Sequence, residues 1–435
     1  MAGSGAAFYN ARPGFFIRYS LFDIRYCPFD ESTMTTTPRL RPTIEPVRLA
    51  AEDGEVTFAL RDASRLSDSV LGVSAGALHL LALMDGRRSV REIRADFARQ
   101  TGLLIEAPVV ERLVETLQEA LFLEGDAFER HYDALVAAYR AAPARQVRNA
   151  EALGLCGDDG EPFESILRDA PAVDLPGRPV GLIAPHLDYA RGRPCYAAAY
   201  ATLRDRPVPD RVVILGTNHF GRSTSAVATA ADFVTPLGTT PNDRAFLDRL
   251  EEAVGPLRRF EFDHAGEHSV ELQVMWLQHV YGADRFRIVP ILCPDPCGPT
   301  GTAASDGIGV DLRVFASALG RLAAHDQAET LIIAGADLSH VGPQFGDPQR
   351  LDAAFLDAVR QRDERAIEAV RRNDAESFRV QVASEANPTR VCSAGCIFAL
   401  LMALPHAEVH VLGYHQAVDD QGVCGVTCTA AALTA

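Results

Sequence analysis

GLIAPHLDYARG, residues 181–192, begins as an uncharged apolar run that stops at Ala184, and Pro185, His186, Leu187 and Asp188 follow. The run is the end of PVGLIA (179–184), which is continuously apolar and does not alternate. That is the pattern of a strand covered on both faces. Comparable runs recur downstream: RVVILG, FRIVPILC, TLIIAG and VHVLGYH. Between them lie helix-like stretches, CYAAAYATL, VFASALGRLAAH, DAAFLDAVRQ and CIFALLMAL. Buried strands separated by helices predict an α/β fold, a mainly parallel sheet with helices on both faces.

In open α/β sheets, ligands collect beyond the carboxyl ends of the strands. PVGLIA runs into His186, RVVILG into Thr217-Asn218-His219, and TLIIAG into Ala336-Asp337-Leu338-Ser339-His340. One strand-end histidine is commonly a loop residue with a satisfied hydrogen bond. Three in the same relative place point to imidazoles gathered at one edge of the sheet.

AGEHSVELQVMWLQHV (265–280) predicts a helix after Gly266, with His268 and Glu271 on one side of its first turn. Two ionisable groups opening an otherwise apolar helix are expected to line a polar cavity. A solvated helix start with Glu267 favoured by the macrodipole is the other reading. In VCSAGCIFALLMAL, Cys392 precedes an apolar helix, where unpaired N–H groups favour thiolate. Cys396, one turn on, reads as a small buried hydrophobe.

Two histidines and a cysteine suit a soft-to-borderline transition metal with open positions, so His186, His219 and Cys392 are the candidate ligands. His340 and Asp337 are then placed behind them for proton transfer and orientation. His268, Glu271, Asn218 and Asp188 are expected to line the pocket. Cys424 and Cys428 lie too far apart along a strand to share one metal. Cys293 and Cys297 would still lack two ligands.

The chain has 435 residues, a length that suggests two domains. Apolar residues are 47% and charged residues 23%, ordinary globular composition. A net charge of −16 repels phosphate backbones and argues against a nucleic-acid partner. The longest uncharged apolar run, Cys396 to Pro405, is too short to cross a bilayer, so no membrane is expected. Arg12, Arg18 and Asp23 break up the early apolar residues, against a signal peptide. A cytoplasmic protein is expected, its nine cysteines free or metal-bound.

Residues 1–40 read as a disordered leader or a mis-assigned start, because Met34 opens the more usual polar TTTPRLRPTIEP. Residues 41–140 read as a winged-helix-like α+β domain. VTFAL (56–60) is a strand there, and SVLGVSAGALHLLALMDG (69–86) a helix stopped by Gly86. SVREIRADFARQTG (89–102) has Ser89 and Glu92 in capping-box spacing and ends at Gly102, and VVERLVETLQEALFL follows. Residues 141–178, rich in Ala, Asp, Gly and Pro, read as a linker, and 179–435 as the α/β domain.

The motifs APHLDY, ILGTNHFG, FVTPLGT, EHSVELQ, ADLSHVG and VCSAGCI fall in an order that resembles the Memo family, over about residues 178–435. The wider fold resembles the LigB-type class III extradiol dioxygenases. The resemblance implies a metal pocket on His186, His219 and Cys392, with Asp337 and His340 as the family's D-x-x-H motif. Related dioxygenases place a carboxylate where Cys392 stands, which sets ring cleavage in question. Bacterial members are often named AmmeMemoRadiSam system protein B, which implies a radical-SAM partner. The chain departs from the family by its N-terminal domain, and by Cys-Ser-Ala-Gly-Cys where the animal proteins have Cys-Gly-Arg-His. The stretch LHLLALMDGRRSVREIRADFA resembles the PqqD-like peptide-recognition domains, which implies a peptide partner.

The reading that follows is a Memo-like metal-dependent redox protein acting on an unknown small molecule. Iron is the expected metal, with copper and zinc as alternatives. Two other readings stay open. One is a metal-free cysteine hydrolase with Cys392 as nucleophile, His340 as base and Asp337 orienting it. The other is a non-catalytic binding scaffold.

Overall fold

The computed structural model describes residues 37–49, 57–142, 144–147, 161–168, 170, 173 and 175–435. The expected leader up to residue 36 lies outside these residues. The chain divides into two units, Met1–Ala138 and Tyr139–Ala435.

In the first unit, β1 (Ile44–Leu49), β2 (Thr57–Asp62) and β3 (Val70–Ser74) form an antiparallel sheet in that order. Helices Ala75–Leu83, Val90–Thr101 and Ala107–Glu119 follow. The stretch read as one helix from residue 69 therefore opens as a strand. Val70 and Val73 are β-branched and suit the sheet, and Ser74 then caps the helix by accepting the Ala77 N–H. The capping box of Ser89 and Glu92 is formed, and Gly102 ends its helix in the left-handed region at φ 73°. Leu60, Leu80, Ile93, Val110, Leu117 and Phe122 fill the core. The end of the expected leader is part of this unit, because Arg39 bridges to Asp85 and Leu40 to Leu123.

The second unit begins with β4 (Ala144–Gln146) and contains β5 (Pro179–Ala184), β6 (Arg211–Thr217), β7 (Val227–Ala228), β8 (Asp232–Thr235) and β9 (Gly238–Thr240). It continues with β10 (Arg287–Cys293), β11 (Thr330–Gly335), β12 (Asp337–Val341), β13 (Glu408–Val418) and β14 (Gly425–Thr434). An eight-stranded sheet runs β12-β14-β5-β11-β6-β10-β7, with β13 also paired to β14. Its centre, β5-β11-β6-β10, is parallel, and the strands outside it pair antiparallel.

Every residue of β6 is buried. Val213 and Leu215 face a core built with helices Leu312–His325 and Ala394–Ala403. Val212 and Ile214 face the opposite core, with helices Tyr189–Ala201 and Ser269–Tyr281. Helices thus cover both faces, which is why these strands are continuously apolar.

Among the described residues, parts of the expected linker are folded. β4 pairs in parallel with β8, and helix Glu161–Arg168 buries Phe163, Ile166 and Leu167. These three apolar side chains recur at helical spacing within a polar stretch and supply one buried face. Among the described residues, no helix is long and apolar enough to cross a membrane.

Candidate metal centre

β5 and β6 run parallel within the sheet's centre and end at Ala184 and Thr217, so His186 and His219 emerge at the same edge. The third imidazole comes from His268, the residue before helix Ser269–Tyr281. That helix start lies directly against the sheet. A Cβ at Gly216 would stand 2.6 Å from Ser269 Oγ, and one at Gly335 would stand 2.8 Å from the Ser269 carbonyl oxygen. Glycine at both positions lets the turn carrying His268 reach His219.

His186, His219 and His268 each offer a ring nitrogen within 4.8 Å of the other two. Their ring centroids are 5.0 to 5.4 Å apart. The Nδ1 of each ring faces an oxygen. His186 Nδ1 donates to the Gly335 carbonyl at 2.9 Å. His219 Nδ1 lies 3.1 and 3.0 Å from the two oxygens of Glu267. His268 Nδ1 lies 3.3 Å from Glu267 Oε1. An Nδ1–H directed at an acceptor leaves the Nε2 lone pair free, the arrangement of a ligating imidazole.

Cys392 stands beside this cluster, its Sγ 3.5 Å from His186 Nε2 and 3.2 Å from Ser393 Oγ. Ser393 ties the cysteine to the sheet. Its hydroxyl oxygen accepts the Asp337 N–H at 3.0 Å and the Thr217 hydroxyl at 3.1 Å.

The electrostatics are those of a buried, strongly coupled set. Burial disfavours the imidazolium of His186, but Asp337 and the Cys392 sulfur more than offset it and carry its pKa up to about 10. Burial also opposes charge on His219, and Glu267 raises it well above the ordinary value. At His268 burial prevails and the pKa falls to about 4. Burial works against the Glu267 carboxylate, yet His219 foremost, with His268 and the Ser269 N–H, holds its pKa well below the usual range. The Cys392 thiol would be pushed up by burial, but His186 and His340 bring it well below its ordinary value. Imidazole nitrogens with oriented Nδ1 atoms, beside a cysteine held as thiolate, are a donor set that fits a transition metal.

The other sequence-predicted residues divide. Asp337 does not orient His340. It accepts the His186 backbone N–H at 3.0 Å, while His340 Nδ1 donates to the Leu338 carbonyl at 3.1 Å and its ring meets Phe345 edge-on. A bulge explains why both still belong to this region. Asp337 pairs with Cys428 and His340 with Val426, so three residues of β12 span two of β14, which brings Asp337 and His340 into the same phase of the ladder.

Glu271 does not line the cavity. It is 1% exposed and ion-paired with Arg145 of β4. Asp188 caps helix Tyr189–Ala201 by accepting the Arg191 N–H and pairs with the Arg191 guanidinium, so its carboxylate is used locally. Asn218 shapes the His219 loop, donating to Asp263 at 3.0 Å and accepting the Gly221 N–H at 3.0 Å.

Two residues that position the site were not singled out from sequence as part of it, Glu267 and Arg145. The signal for Glu267 was its place beside His268. Arg145 gave none, lying in an apparent linker.

Two strand-end imidazoles on a parallel α/β core, joined by a third at a helix start, offer three ring nitrogens close enough together to hold one metal ion. A family model described as Memo-like protein matches residues 165–433, and the chain belongs to this family. A MEMO1 family protein of Aquifex aeolicus is 25% identical over 84% of this chain and 94% of its own length. One from Thermus thermophilus is 27% identical over 76% of this chain and 94% of its own. One from Methanopyrus kandleri is 32% identical over 56% of this chain and 78% of its own.

Proposed function

We propose that this Memo-like chain holds a transition metal, iron by preference, on His186, His219 and His268 with Cys392 as a further donor. We propose that it serves in redox handling of a small molecule. The observation that supports this most is the convergence of three imidazoles whose Nδ1 atoms all face oxygens. A bound metal of this kind supplies Lewis acidity and, for iron or copper, one-electron chemistry.

The chain's own groups prepare the pocket. The Gly335 carbonyl orients His186, and Glu267 orients His219. Cys392 contributes its sulfur, with a pKa that His186 foremost brings down, and proton transfer is assigned to His340. The cysteine-hydrolase alternative lacks its orienting link, because Asp337 is committed to His186 and His340 Nδ1 to the Leu338 carbonyl.

The test is metal content of anaerobically purified protein, with H219A, H268A and C392S beside it. Near one iron per chain, lost in H219A and H268A, supports the reading. Absence of metal after reconstitution with iron, copper or zinc would hand the site to the scaffold reading. The partner side of the proposal, a radical-SAM protein or a peptide recognised by the N-terminal unit, is tested by co-purification with the full chain.

A further inference from the structure

Every group facing the Glu267 carboxylate is a hydrogen-bond donor. Oε1 accepts the backbone N–H of His268 at 2.8 Å and of Ser269 at 2.9 Å, and Oε2 accepts the backbone N–H of His219 at 3.0 Å. Nδ1 of His219 bonds to the same carboxylate, and Nδ1 of His268 makes an ion-pair contact with it at 3.3 Å without hydrogen-bond geometry. The side chain is 2% exposed, so water does not substitute for these partners. Its backbone is held as well. Arg145, 5% exposed, donates to the Glu267 carbonyl at 2.8 Å and pairs with Glu271 one helical turn on. Arg145 lies outside residues 165–433, the segment that matches the family.

We propose that Glu267 is a positioning residue that selects the tautomer of His219, presenting it to a metal through Nε2. This rests on the metal reading above and adds to it the carboxylate on which the His219 ligand depends. The chemistry is specific to a carboxylate. A glutamine in the same place has one acceptor oxygen and one donor NH2. With the oxygen kept on the His268 and Ser269 N–H groups, the NH2 faces His219. That NH2 opposes both the His219 backbone N–H and Nδ1–H, and the one remaining oxygen, 3.1 Å from Nδ1, is already shared by two backbone N–H groups; Nδ1 is driven to accept, which moves its proton to Nε2 and removes the ligating lone pair.

The test uses the full chain, zinc(II) as probe, and E267Q beside E329Q, an exposed carboxylate remote from the pocket. Zinc affinity of E267Q is expected to fall about 10- to 100-fold, with E329Q unchanged. In long-range 1H–15N spectra of zinc-loaded wild type, His219 is expected to carry its proton on Nδ1. In E267Q the His219 proton is expected on Nε2, a signature that a merely structural role would not produce. Unchanged zinc affinity in E267Q overturns the proposal. Should E267Q fail to fold, the wild-type spectrum decides, and Nε2–H on His219 overturns it. Wild type that binds no zinc, iron or copper overturns the metal reading and this inference with it. Wild type that loses zinc in H186A while E267Q binds normally overturns this inference alone.

Discussion

The carboxylate of Asp337 holds His186 from two sides: Oδ1 accepts its backbone N–H at 3.0 Å, and Oδ2 lies 3.5 Å from its Nε2. Asp337 opens β12 while His186 follows β5, so one side chain joins two separate strands at the candidate site.

In D337N the amide oxygen can still accept the His186 N–H, but the charge that stabilises the imidazolium is gone. The His186 pKa, raised to about 10 in metal-free protein, is expected to fall by about 1–3 units. A pH titration of the imidazole by NMR reads this directly. A midpoint that stays near 10 would show that Asp337 does not set it.

Metal binding is expected to release protons, because His186 and His219 hold theirs above the ordinary range in the metal-free state. Affinity should therefore rise with pH, and calorimetry in buffers of different ionisation enthalpy should report proton release. A metal that binds only the native state adds about 2.7 kcal/mol of stability at a hundredfold excess over Kd. That rise in Tm should vanish in H219A. An equal rise in H219A would place the ion elsewhere.

His264 links stability to pH from behind Glu267, whose N–H its carbonyl accepts at 3.3 Å. It is fully buried, its Nε2 donates to the Val227 carbonyl at 3.0 Å, and burial first, with Arg145 second, lowers its pKa from 6.5 to about 3. Between these values the unfolded chain takes up a proton that the folded chain refuses. The stability present above pH 6.5 is therefore lost as pH falls toward 3, with a slope of up to about 1.4 kcal/mol per pH unit. H264Q, which keeps a donor and cannot titrate, should flatten denaturant-derived stability over this window. An identical slope would assign the acid sensitivity to other groups.

Phe163 tests whether the segment read as a linker is part of the core. It is 1% exposed and packs edge-on against Trp276 at 4.8 Å and Tyr189 at 5.1 Å. F163A is expected to cost about 3–5 kcal/mol. Trp276 is the single tryptophan of the chain, so its emission should also shift to the red. A loss below about 1 kcal/mol would return residues 161–168 to the status of a spacer.

The fold and half of the site were legible along the chain. Continuous apolar runs bounded by helical patterns announced parallel strands covered on both faces, and the rule for strand ends located His186 and His219. His268 was marked by its polar company at the start of an apolar helix. Less was legible where a partner had to be chosen. Spacing alone paired Asp337 with His340, but the bulge in β12 and the turn after β5 gave Asp337 to His186. Glu271 read as a cavity residue because Arg145, its partner 126 positions away, lay in a stretch without visible periodicity.

The sequence by itself determined the buried central strands and the main helices between them, the edge at which His186 and His219 emerge, and the thiol before the final helix. These follow from local hydrophobic period and chain direction. Only the tertiary structure decided that His268 closes the imidazole cluster, that Glu267 holds the His219 ring, and that Arg145 stands behind Glu267. A hydrogen bond is selected by distance and angle between groups far apart in sequence, and chain spacing carries neither.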